Sequence, residues 1–102
     1  MPIILLILGV NGLSCSYWEQ KEVVAGTTYD TGFRMGIVIV NHPGMGYIYI
    51  LSLPSWTDSK IVEVSKPNPD LGGLTFAKTS NTLTITSQYN RSKISAVLIA
   101  CK

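Results

Sequence analysis

The chain has 102 residues, enough for one modest hydrophobic core and too few for two, so residues 1–102 are read as a single domain. Charged residues supply 14% of it and apolar residues 46%, whereas an ordinary soluble domain is roughly a quarter charged. The net charge of +2 comes from scattered basic residues, of which only Arg91 and Lys93 lie close together, and this excludes the basic stripe that nucleic-acid binding needs.

Residues 1–16 read MPIILLILGVNGLSCS, an apolar run followed by Asn11-Gly12, a strong hairpin dipeptide. They are expected to form a buried N-terminal strand that turns at Asn11-Gly12. The alternative is a signal peptide, against which stands the lack of any Lys or Arg before the apolar run. The run falls far short of the ~20 residues that span a bilayer. A lipoprotein reading on Cys15 fails because Gly12 stands where a bulky aliphatic residue is expected.

Residues 13–18 form the returning strand and residues 21–25 (KEVVA) a separate short one, while residues 26–32 (GTTYDTG) have the composition of a loop. Residues 34–41 (RMGIVIVN) and 47–53 (YIYILSL) flank a Pro-Gly segment and predict a β-hairpin. Both of its strands are apolar on both faces, because Ile37 and Ile39 alternate with Val38 and Val40, and Tyr47 and Tyr49 with Ile48 and Ile50. Residues 60–65 (KIVEVS) read as a half-exposed strand, and residues 66–73 (KPNPDLGG) as a surface loop. A short strand over residues 74–78 precedes TLTIT at 82–86, with Leu83 and Ile85 inward and the three threonines outward. After a polar turn at 87–92, residues 94–101 (ISAVLIAC) make a strand too apolar for an open edge.

No window supports a long amphipathic helix, and turn signals recur throughout. The fold class is therefore all-β, a small antiparallel β-sandwich or jelly roll of about seven to nine short strands. A small domain has much surface for its volume, so scarce charge implies that part of this surface is covered by copies of the chain, another protein or a membrane.

No chemistry stands out. His42, the single histidine, sits in the Pro-Gly turn without ligands at metal spacing, and reads as a polar turn residue. Six acidic residues give no reason to choose a catalytic pair, and Gly44 and Gly46 lack the following helix of a phosphate loop. Catalytic, cofactor and metal residues are accordingly expected to be none, and the protein not to be an enzyme. Cys15 and Cys101 read as small buried hydrophobes rather than a disulfide, although a bond would close a loop worth roughly 4 to 5 kcal/mol. Candidate partner or ligand contacts are Trp56, in the loop LPSWTD with Asp58 as a polar companion, and the tyrosines Tyr29, Tyr47 and Tyr49. A surface glycan is the small ligand these aromatics suit. Trp56 has the structural alternative of plugging one end of the sandwich.

Residues 73–102, with the threonine-rich TLTIT, the turn SQYNRS and the final ISAVLIAC, resemble the closing hairpin of small jelly-roll domains in phage tail fibres and other virion proteins. The resemblance implies a structural or host-recognition part of a virion, homo-oligomeric as a trimer or larger ring. It carries no residue roles. The competing expectation is a secreted carbohydrate-binding β-sandwich.

Overall fold

The computed structural model of the protein describes residues 12–42, 45–53, 59–67 and 72–101, with residues 42 and 45 described by backbone alone. The expected strand and signal-peptide readings of the N-terminal segment therefore fall, up to Asn11, outside the described residues.

Eight strands account for most of what is described: β1 (Leu13–Val23), β2 (Thr28–Asp30), β3 (Met35–His42), β4 (Met45–Ser52), β5 (Lys60–Ser65), β6 (Leu74–Thr79), β7 (Thr82–Ser87) and β8 (Arg91–Cys101). They form two antiparallel sheets, one of five strands in the order β1-β8-β3-β4-β5 and one of three in the order β2-β7-β6. The result is a small all-β sandwich, as composition and turn spacing predict.

The core lies between the sheets. Val38 and Val40 of β3, Leu51 of β4 and Ile94 and Leu98 of β8 face it from the large sheet, and Leu74, Leu83 and Ile85 from the small one. Phe76 of β6 packs its ring against Tyr47 and Tyr49 of β4, with centroids 5.2 Å and 4.3 Å apart, and so joins the layers. The segment between β2 and β3 changes sheets and is pinned to β7. Thr31 N donates to Leu83 O at 2.9 Å, and Leu83 N donates to Phe33 O at 2.8 Å.

The structure corrects several expectations. Residues 13–23 are one continuous strand rather than two, because β8 supplies a ladder from Leu13↔Cys101 to Val23↔Arg91 that skips only Glu22. The loop expected over 26–32 contains β2, in which Thr28 and Tyr29, good strand formers, pair with Thr86 and Ile85 of β7. Thr84 is buried rather than outward, and its hydroxyl meets the cost of burial by donating to Ala77 O at 3.1 Å. Finally, β7 and β8 do not form a closing hairpin: the turn between them carries the chain from the small sheet to the large one. The final strand is central, between β1 and β3, as its apolar character requires.

Candidate interaction face

The two-sided apolar strands resolve into an inner and an outer face of the five-stranded sheet. In β3, Val38 and Val40 are wholly buried, while the alternating Ile37 and Ile39 are 44% and 43% exposed. Residues directly opposite one another in a ladder share a face, so the pairings extend these isoleucines across the sheet. One outer row runs Cys15, Ile99, Ile37, Ile50, Val62 through all five strands. The next runs Tyr17, Val97, Ile39, Ile48 and ends at Ser65, where the β4–β5 ladder shifts register between Ile48 and Tyr49. Tyr17, at 63% exposure, is the most open large apolar side chain described. Val62 and Val64 also face outward, and Ile61 of the same strand packs on the core.

No charge interrupts these two rows, except beyond their ends. Past Tyr17, Glu19 accepts a hydrogen bond from Tyr17 Oη at 2.8 Å and lies 3.6 Å from Lys93 Nζ and 3.9 Å from Lys21 Nζ. The tyrosine hydrogen bond, then the two lysines, hold its carboxyl below the usual glutamate range, against a smaller opposing effect of desolvation. At the opposite end, the β3–β8 ladder stops at Ile37↔Ile99 and a half-open apolar cleft of about 230 Å³ lies between Met35, Gly36, Ala100 and Cys101. Gly36 lines it with a φ of 133°, a backbone conformation that side chains disfavour.

The sequence-predicted contacts do not converge. Tyr47 and Tyr49 are on the inner face and buried against Phe76, with Tyr49 Oη donating to Glu63 Oε1 at 3.4 Å, so neither offers a surface to a ligand. Tyr29 is half-buried on the small sheet, and its hydroxyl accepts from Val24 N at 2.9 Å. Trp56 and Asp58 lie outside the described residues. Cys15 and Cys101 are unbonded, as expected, but exposed on the outer face rather than buried. Each stands opposite an aliphatic residue, Ile99 and Leu13 respectively, so they are diagonal neighbours and not a facing pair. Among the described residues no group of three or more His, Cys, Asp and Glu side chains is placed to hold a metal, and no helix is long and apolar enough to cross a membrane.

No family model and no curated protein matches the chain. The fold does have a counterpart in a phage tailspike. The crystal structure of the Acinetobacter phage vB_ApiP_P1 tailspike protein superposes with a TM-score of 0.56 at 11% identity, over 85% of this chain. The match takes in 21% of the tailspike chain, so this domain corresponds to about a fifth of that protein's length. At that identity the likeness is one of fold. It spans most of the chain and is not confined to the C-terminal third on which the sequence resemblance rests.

The outer face was half visible in the sequence. Alternation exposes the two-sided character of β3, β4 and β8, but Cys15 and Tyr17 join the face only through their register with β8, which no local pattern encodes.

Proposed function

We propose that this chain is a non-enzymatic structural or host-recognition component of a virion, a phage-tail β-sandwich that works as a homo-oligomer among other virion proteins. The observation that carries this reading is the five-stranded sheet with apolar rows on both sides. An enzyme built on a solitary sandwich gains nothing from a second apolar face, whereas an assembly part uses it. The fold likeness to a tailspike supports the virion setting.

Mass spectrometry of purified particles from the producing culture tests the proposal. The chain is expected at a fixed ratio to the other particle proteins through successive gradients. Its loss from the particle fraction, with recovery as a free soluble protein, overturns it.

A further inference from the structure

We infer that the outer face of the five-stranded sheet is the surface on which a second copy of this chain packs. The inference rests on the homo-oligomeric reading above and assigns that contact to one face.

Three observations select the occupant. The first is composition: the rows through Ile37 and Ile39 are β-branched or aromatic apart from Cys15 and Ser65 at their ends, with no charge inside them, which is the character of obligate self-association rather than of polar, exchangeable interfaces. Their chemistry matches the inner rows of the same sheet, where Val38, Val40, Ile94 and Leu98 already pack against a second sheet. The second is shape. A broad sheet face fits another sheet face, stacked at ~10 Å with interdigitated side chains, and each copy of this chain carries one.

The third is area. Five strands ~4.8 Å apart and three outward rows, the two above and the adjoining row of Leu13, Cys101, Met35, Ser52 and Lys60, give a face of about 24 by 20 Å, or roughly 500 Å². Two such faces bury about 1,000 Å², the lower bound for a specific interface, without help from any other surface. A lipid surface is disfavoured by the margin, where Glu19 is set among Lys21 and Lys93 in place of a purely basic rim.

Cys15 and Cys101 lie on this face and report on it without modification of the chain. The test combines analytical ultracentrifugation with the rate of thiol labelling on the full chain over a wide concentration range. The expected result is a rise in mass from one chain to two or more as concentration increases, with labelling slowing in parallel. Ile39→Lys is expected to abolish both effects with its circular dichroism unchanged. Tyr17→Arg, at the most open position, serves the same purpose should Ile39→Lys fail to fold.

A monomer whose thiols label slowly at every concentration means that the face is covered from within the chain, and overturns the inference. A monomer with freely labelled thiols at every concentration leaves the face for a different protein or a lipid surface, and also overturns it. So does an oligomer unaffected by Ile39→Lys or Tyr17→Arg. Each of these outcomes is independent of whether the chain is found in particles, so the virion reading stands or falls separately.

Discussion

Tyr17 donates its hydroxyl to Glu19 Oε2 at 2.8 Å, two residues further along the same face of β1. This bond is the largest cause of the depressed Glu19 carboxyl, ahead of Lys93 and Lys21. A carboxyl whose folded value is lowered stabilises the fold above the unfolded glutamate value and loses that contribution as pH falls through the folded value. An NMR titration of the Glu19 side chain is expected to give a midpoint below the usual glutamate range. In Tyr17→Phe the midpoint should rise towards that range, because the largest lowering cause is gone while desolvation still opposes the two lysines, and high salt should raise it further by screening them. A midpoint unmoved by Tyr17→Phe would show that the hydrogen bond is not made in solution.

The interior and the outer face of the sandwich should respond differently to truncation. Leu83 is wholly buried between the sheets, and Leu83→Ala is expected to cost about 2 to 5 kcal/mol through lost burial and the cavity left behind. Ile37 points out of the same sandwich, and Ile37→Ala should cost under about 1 kcal/mol in the dilute chain. Urea unfolding at low protein concentration compares them. Raising the concentration should widen the Ile37→Ala deficit and leave that of Leu83→Ala nearly constant, because only the former touches the self-association face.

Gly36 is the point at which β3 parts from β8. A methyl group there would collide with the carbonyl oxygen of Ile99 and stand 3.0 Å from both Ala100 Cβ and Leu98 Cδ1, on a backbone with φ of 133°. Gly36→Ala is expected to destabilise the fold by about 2 kcal/mol or more, since clash and backbone strain add. The drop in urea midpoint measures it, and a midpoint within experimental error of the parent would mean that the strands can separate further at this end.

What was legible in the sequence follows from which forces act locally. The hairpin of β3 and β4, the limits of β5 and the existence of β7 are written in β-branched alternation and in turn residues, and the structure places the ends of β3, β4 and β7 within two residues of that reading. The sequence divides β1 at Glu19 and Gln20, which interrupt its apolar pattern, and the strand is irregular close by, at Glu22 with a φ of 54°. The strand persists there because its ladder comes from β8, some seventy residues away. β2 escapes a local reading for a related reason: three residues are too few to show a period among the turn-forming residues from Gly26 to Gly32, and they are held by β7. The candidate site shows the same division. Tyr47 and Tyr49 read as candidate ligand contacts, but which face of a two-sided strand points inward is decided by the second sheet. Phe76 takes both of them for the core.

Thr31 shows how the crossing between the sheets is held, and it supplies the last prediction. Its side chain is buried, with Oγ1 donating to Leu83 O at 2.8 Å and accepting from Phe33 N at 3.1 Å, while its own amide donates to the same Leu83 carbonyl. Thr31→Val keeps the size of the side chain and removes both of the hydroxyl's bonds. The Leu83 carbonyl retains its bond from the Thr31 amide, so the cost falls on the buried Phe33 amide, left without its acceptor. An unmet buried donor costs about 1 to 3 kcal/mol, and the variant should lose stability in that range. Hydrogen exchange locates the loss: the Phe33 amide should exchange faster by more than the global destabilisation accounts for, with core amides of β3 and β8 slowed or hastened only as global stability dictates. If Phe33 exchanges no faster than those core amides, its acceptor has been replaced and the threonine hydroxyl does not pin the crossing.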